Sequence, residues 1–186
     1  MTTTTSSPEI RTFYGKYRGT VISNVDPLLR GRLLLEVPDV TGLVPSSWAE
    51  PCVPLAGPTG PPMGVYMVPP IGAGVWVEFE QGDPSFPVWT GCWYGTAEEL
   101  PPDARRALQA NSPSKPVVVQ TPGAHKIVMN DTAGAEQGIL LQAQGGAYIR
   151  ITKEVVVIAN GAGAEILLQG DHVTINQGQL TVQSKR

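Results

Sequence analysis

Charge is scarce in this sequence. Charged residues make up 16% of the 186, with 13 Lys and Arg against 16 Asp and Glu, for a net of −3. Residues 1–121 hold eight basic and eleven acidic side chains. Neither figure gives the basic footprint that nucleic acid requires. Histidine is scarcer still: His125 and His172 are 47 positions apart, which excludes a zinc site of ordinary spacing. Two cysteines, Cys52 and Cys92, read as buried, reduced thiols acting as small apolar residues. A disulfide stays open only if the strands carrying them lie side by side. No Gly-x-Ser-x-Gly elbow occurs, nor a glycine-rich phosphate loop with Lys-Ser/Thr. Glu78 and Glu80 alternate like a carboxylate pair, but solvated edge charges are the default for such residues. Nothing here calls for an enzyme, a metal or a cofactor. No apolar run approaches the roughly 20 residues of a membrane span. The start, MTTTTSSPE, has neither the basic residues nor the apolar stretch of a secretory signal. Residues 1–12 read as a disordered lead-in, and the chain as one made and folded in the cytoplasm.

Proline is missing from one region only. Of 18 prolines, 17 fall at or before Pro116 and the last is Pro122. Proline removes a ladder donor, so its absence beyond 122 fits continuous strand pairing. Before that point, strands are expected at Gly15–Val25, Arg32–Val37, Gly64–Val68, Gly74–Glu80 and Pro87–Tyr94. Turn signals separate them at Asp26-Pro27, Pro51–Pro62 and Gly82-Asp83-Pro84. Five short strands in residues 13–95 predict a small closed or nearly closed barrel. Residues 96–121 form a connector, with a short helix over Pro102–Leu108 and an extended run at Pro116–Gln120.

What the sequence has in abundance is the alternation of its last third. KIVMN (126–130), GILLQ (138–142), AYIRI (147–151), EVVVI (154–158), AEILLQ (164–169), HVTI (172–175) and QLTVQ (179–183) each show the period-2 pattern of a half-buried strand. ILLQ occurs at Ile139–Gln142 and again at Ile166–Gln169, 27 positions later. The expected inward set is Ile139, Leu141, Ile149, Ile151, Val155, Val157, Ile166, Leu168, Val173, Ile175, Leu180 and Val182. Arg150, Thr152, Thr174, Asn176, Thr181 and Gln183 suit a wet outer face, which leaves Leu140, Val156, Ile158 and Leu167 as apolar outer positions. His172, next to the inward Val173, points outward. One sheet alone leaves that set wet. Two arrangements cover it. A lone solenoid of about 27 residues per turn gives barely two turns, fewer than the roughly three repeats such folds need. Alternatively, three chains wind together as a triangular prism in which each chain returns to one azimuth every third strand and every strand has neighbours from the other chains. Seven strands at about 4.8 Å make a prism roughly 30–35 Å long.

Several ordered motifs carry a resemblance that bears on this choice. Pro69-Pro70-Ile71-Gly72-Ala73-Gly74-Val75-Trp76-Val77-Glu78-Phe79-Glu80-Gln81-Gly82-Asp83-Pro84, followed by Pro87-Val88-Trp89-Thr90-Gly91-Cys92-Trp93, resembles the oligonucleotide/oligosaccharide-binding-fold (OB-fold) domain of the phage baseplate assembly protein V and VgrG spike family. So do Gly15–Val21, Asp26-Pro27 with Gly31-Arg32-Leu33, and Trp48-Ala49-Glu50-Pro51-Cys52. Pro122-Gly123-Ala124-His125-Lys126-Ile127 with Asn130-Asp131 resembles the family's entrance to its triple-stranded β-helix. The resemblance implies an all-β chain: an OB-fold barrel, then an intertwined trimeric β-helix, the needle, over residues 122–186. It implies a homotrimer that mechanically pierces a target envelope, meets the membrane only transiently, and ends up in a virion or injection particle. The connector is too short for the lysozyme domain of some spikes. Only about a dozen residues precede the barrel where VgrG proteins carry a hub domain, which implies a separate hub protein. Asp26, Arg30 and Arg32 are candidate contacts to it. The last strand lacks the His-x-His of iron-bearing tips, so Leu180, Val182 and Gln183 become a candidate platform for a PAAR-repeat tip protein.

The barrel aromatics read first as core. A sharper possibility is that Trp76 or Trp93 packs on partner chains or a hub. A different class of function also stands: a binding module for oligosaccharide or single-stranded nucleic acid with a trimerising tail. The acidic balance of residues 1–121 opposes the nucleic-acid form of it.

Overall fold

The computed structural model describes residues 11–57, 61–110, 113–177 and 179–183, with the backbone alone at 181–183. The expected lead-in therefore lies outside the described residues except for Arg11 and Thr12. The chain divides into two compact units, Met1–Gly95 and Thr96–Arg186.

The first unit is a five-stranded ring. Its strands are β1 (Tyr17–Ser23), β2 (Leu34–Glu36), β3 (Glu50–Pro51), β4 (Gly74–Phe79) and β5 (Pro87–Trp93), in sheet order β2-β1-β4-β5-β3. Bridges close it. Leu33 and Ala49 exchange backbone hydrogen bonds of 3.1 and 2.8 Å, and Ser46 N–H donates to the Leu35 carbonyl at 2.8 Å. The 45–51 segment thus pairs with β2 at one end and, in parallel, with β5 at the other. The circuit β1-β2-β3-β5-β4-β1 leaves no open edge, as in a five-stranded Greek-key barrel. Alternation places Val75, Val77 and Phe79 inside, joined by Phe13, Val21, Leu33, Leu35, Val37, Ala49 and Trp89.

Two expectations for this unit change. Gly64–Val68 is not a strand; Gly64 makes one bridge, to Ala56. The third barrel strand lies instead at 45–51. Pro45 and Pro51 bracket it, and prolines within so short a run hide the strand pattern. The cysteines are free, as expected, but exposed and not buried. Their strands do run side by side, yet the Pro51–Trp89 register sets Cys52 opposite position 90.

The second unit is one antiparallel meander. Its strands are β6 (Val117–Gln120), β7 (Lys126–Asn130), β8 (Gly138–Gln142), β9 (Tyr148–Ile151), β10 (Val155–Ala159), β11 (Glu165–Gln169), β12 (His172–Ile175) and β13 (Leu180–Gln183). Each pairs with the next in sequence. The last part of the expected connector is thus the first strand of the sheet. The expected winding would instead give every strand neighbours from other chains. Both edges of every strand from β7 to β12 are filled by the strand's own chain. Turns as short as Gly170-Asp171 bring consecutive strands back antiparallel, because closing a short loop costs little entropy. The two ILLQ copies lie three strands apart in one sheet and run in opposite directions, so they are not successive turns of a coil.

Side-chain oxygens fasten most of the turns. Asn160 Oδ1 accepts from the N–H groups of Ala162 and Ala164 at 2.8 and 3.1 Å. Thr121 Oγ1, Asn130 Oδ1 and Thr152 Oγ1 accept from His125, Thr132 and Val155 in the same way. Such local bonds favour turns over strand continuation. Two turns on the same long edge touch backbone to backbone: a Cβ at Gly161 would meet Gly146 C at 2.6 Å.

Helix α1 (Pro38–Thr41) belongs to the barrel unit, and helix α2 (Pro102–Gln109) to the sheet unit. Asp103 on α2 bonds Lys126 on β7 at 2.6 Å, and Lys115 Nζ donates to the Ala107 carbonyl at 3.0 Å. Burial acts to raise the Asp103 carboxyl, but bonds from Lys126 and Arg106 outweigh it and leave its pKa lowered.

Candidate functional site: the apolar face of the sheet

The register of the eight strands assembles two unbroken apolar columns. One runs Val117, Met129, Ile139, Ile151, Val156, Leu168, Val173, Val182. The other runs Val119, Ile127, Leu141, Ile149, Ile158, Ile166, Ile175, Leu180. No polar side chain interrupts either. Twelve of them are exposed, from Ile166 at 38% to Val117 at 55%, while Val156, Val173 and Ile175 are half-buried. An isolated chain gains nothing from placing so much apolar surface in water.

Most of the expected inward set lies on this face: Ile139, Leu141, Ile149, Ile151, Ile166, Leu168, Val173, Ile175 and Leu180, with Val182 joined by backbone register. Val155 and Val157 do not. The sheet puts Val156 opposite Ile151 and Leu168, and Ile158 opposite Ile149 and Ile166. Val155 lies opposite Gln169, and Val157 opposite Arg150 and Leu167, on the other face. The physical reason is turn parity. Thr152 and Val155 close a two-residue turn at Lys153-Glu154, with Thr152 N–H donating to the Val155 carbonyl at 2.9 Å. That turn moves the inward set from odd to even positions. Val117, Val119, Ile127 and Met129 were missed as members, although the same alternation marks them.

The opposite face has a different character. Its central column is Val118, Val128, Leu140, Arg150, Val157, Leu167, Thr174, Thr181. It is apolar at the first strands and polar toward the last. Val128 is buried. A hollow of about 250 Å³ there is lined by Ala107, Ala110, Val128, Leu140 and Arg150. His172 lies on this face, opposite Gln169, with its Nε2 3.2 Å from Asp171.

On the barrel, Asp26 and Arg32 do not stand as surface contacts. Asp26 is 6% exposed and accepts from the N–H groups of Leu28, Arg30 and Arg32 and from the Arg32 guanidinium at 2.7 and 3.0 Å. The Arg32 bond, offset in part by burial and reinforced by the backbone N–H groups, holds the carboxyl far below the usual range. Arg32 also lies over the Trp48 ring. This pair ties the 26–32 loop in place. Arg30, paired with Glu50, is the exposed member of the three. Of the tryptophans, Trp89 is core and donates to the Gly31 carbonyl. Trp76 and Trp93 lie outside, with the Arg18 guanidinium over both rings at 5.5 and 4.7 Å. Gly74 permits this, since a Cβ there would meet the Trp93 ring at 2.6 Å. β5 bulges beside Gly91, where its register against β4 shifts between Trp76 and Val77.

Among the described residues, no three His, Cys, Asp or Glu side chains gather as a metal site. No helix among them is long and apolar enough to cross a membrane.

A closed barrel followed by a sheet with one uncovered apolar face defines a structural component built to assemble. Residues 17–94 match the type VI secretion system/phage-baseplate injector OB domain. Residues 116–181 match the phage baseplate V C-terminal trimerisation domain. The chain belongs to the phage baseplate assembly protein V and VgrG-like spike family. Its two domains are structural parts of injection-machine baseplates. A search of the curated proteins finds no relative that matches the chain.

Proposed function

We propose that this chain is the trimeric central spike of a contractile injection system or myophage-type baseplate, docking on a separate hub protein and piercing the target envelope mechanically. The observation that carries this reading is the pair of apolar columns, eight strands long. Two columns of Val, Ile, Leu and Met left about two-fifths open to water are a large unrealised stabilisation, on the order of 0.6–1.5 kcal/mol for each side chain once covered. Three chains sharing the face realise it.

The work of such a part is mechanical. Strands lie across the stacking direction, so thrust along the stack falls on the hydrogen-bond ladders. Each strand is tied to the next by a turn, most of them fastened by Asn or Thr. Eight strands at about 4.8 Å stack to roughly 34 Å. Arg30, with Glu50, remains the candidate hub contact of the barrel. Leu180, Val182 and Gln183 belong to β13, whose outer edge pairs with no strand among the described residues. That edge supports their role as a platform for a PAAR-repeat tip protein.

The test is the solution mass of the intact chain beside that of a chain ending at Gly95. The spike reading expects a trimer for the first and loss of the trimer for the second. A monomeric intact chain refutes it.

A further inference from the structure

We propose that Arg18, laid against Trp76 and Trp93 on the outside of the barrel, is an anchor for one Asp or Glu side chain of the hub protein. This rests on the reading above that the barrel docks on a separate hub, and it names the contact that the docking face makes.

Three strands build the anchor. Arg18 on β1 lies opposite Trp76 on β4, and Trp93 on β5 lies opposite Gly74, two residues before Trp76. With no side chain at Gly74, the Trp93 ring lies close over the backbone, and its Nε1 donates to the Val75 carbonyl at 3.2 Å. That bond fixes the ring. The Arg18 guanidinium is then held by two aromatic rings, with its Cζ 5.5 and 4.7 Å from their centroids. A guanidinium held in this way is oriented before any partner arrives, so less side-chain entropy is lost on binding.

Its hydrogen-bond donors are unspent. Arg30, Arg32, Arg106 and Arg150 each meet a carboxylate. Among the described residues Arg18 meets none, and the Nε1–H of Trp76 has no acceptor either. The acids of the same face do not serve it. Glu78 is held by Lys16 at 2.6 Å, and Glu36, opposite Thr20, forms no ion pair among the described residues. The barrel contains the completed form of this arrangement elsewhere. Arg32 lies 5.6 Å over the Trp48 ring and donates to the Asp26 carboxylate at 2.7 and 3.0 Å. There one chain supplies ring, guanidinium and carboxylate. At Arg18 it supplies rings and guanidinium alone.

Shape and charge select the ligand. The planar fork of a guanidinium matches a carboxylate through two parallel bonds. Lys16 is already neutralised by Glu78, so the stack offers a single positive charge. That equals the charge of a carboxylate and falls short of a phosphate monoester's. The carboxylate belongs to a different protein. Residues matched to the trimerisation domain begin at 116, in the other unit, and the barrel fills its core without a second copy. Its outer face is thus left for the hub. Arg and Trp are also the side chains most enriched among the few that carry an interface's energy. Arg30, already paired with Glu50, is the weaker contact.

The experiment uses the intact chain with acetate as the probe. NMR follows the Arg18 Nε–H and the indole N–H signals of the four tryptophans as acetate replaces chloride at constant ionic strength. The Arg18 and Trp76 signals should shift. Those of Trp48 and Trp89 should stay, because Arg32 already holds Asp26 and Trp89 is core. Arg18→Lys keeps the charge without the fork and should lose the Trp76 shift. An unmoved Arg18 signal in the wild type, or a Trp76 shift that survives in Arg18→Lys, overturns the anchor. Particles assembled with Arg18→Ala should carry less spike than wild-type particles, while the Arg18→Ala chain alone keeps the mass of a trimer. Full retention of the spike overturns the hub assignment. So does an Arg18→Ala trimer that dissociates on dilution where the wild type does not, since the carboxylate would then come from a second copy. A monomeric wild-type chain refutes the spike reading itself, whatever acetate does.

Discussion

The barrel hides its apolar residues and the sheet displays them. Leu33, Leu35, Val37, Val75 and Val77 are fully buried within one chain, while the sheet's Ile139, Leu141, Ile149 and Ile158 stay about two-fifths exposed. Both units use the same alternation and short strands. They differ in closure. In the barrel the 45–51 segment joins β2 to β5, so one sheet faces itself across a core. The meander has no such closing strand, and its apolar side must be covered by something else. Stability of the first unit is therefore a property of one chain. That of the second depends on assembly and on protomer concentration.

The largest effect expected from this difference is on the sheet. Ile158→Asp puts three carboxylates near one axis, and burying an unpaired charge costs several kcal/mol. The mass of the intact chain should fall from trimer to monomer. Val157→Asp, one residue away but opposite Arg150 on the other face, should leave it trimeric. The reverse pattern would restore the odd-numbered inward set and break the comparison. Next in size is the barrel core. Leu35→Ala should lower barrel stability by about 2–5 kcal/mol, read as an earlier thermal or denaturant transition. The mass should remain that of a trimer, because no assembly contact is lost.

How much of this was legible follows from how far each feature is local. KIVMN, GILLQ and HVTI coincide with β7, β8 and β12, because Gly, Asn and Asp punctuate a clean alternation. EVVVI has consecutive apolar residues, so its strand is visible and its facing is not; the Lys153-Glu154 turn sets the phase. The barrel's β3 was hidden by its prolines and revealed only through long-range pairing with β2 and β5. The Asp26 loop shows the limit for sites. Asp26-Pro27 reads as a turn with charged residues nearby, and nothing in the run says that the carboxylate is folded inward onto Arg32 and three N–H groups.

That carboxylate gives the barrel a pH dependence to compare with the sheet. Held far below its usual range, Asp26 stays ionised in the fold at pH values where the unfolded chain, near pKa 3.9, takes up a proton. Its stabilisation is complete above roughly pH 5 and is lost as pH falls through the unfolded value toward the folded one. Asp26→Asn should lower barrel stability at pH 7 and flatten its decline between about pH 5 and 3. An equally steep acid decline in the variant would show that other carboxylates govern it.

Smaller effects test whether turns or surface charges hold the units. Asn160→Ala removes two local acceptor bonds from one turn of the sheet, worth about 0.5–1.5 kcal/mol each. It should speed amide exchange at Ala162 and Ala164 and leave the trimer assembled. On the barrel, Lys16 bridges to Glu78 at 2.6 Å and to Thr90 at 3.1 Å, but with the two charged side chains 53% and 44% exposed. Solvent screening reduces such pairs to less than about 1 kcal/mol. Lys16→Met should therefore shift the barrel transition by no more than the equivalent of 1 kcal/mol, roughly, and the shift should shrink in 1 M salt. A Lys16→Met loss comparable to that of Leu35→Ala would mean that the outer surface of β4 and β5 is held by its charges. The barrel would then not be the self-contained half of the molecule that its buried core makes it.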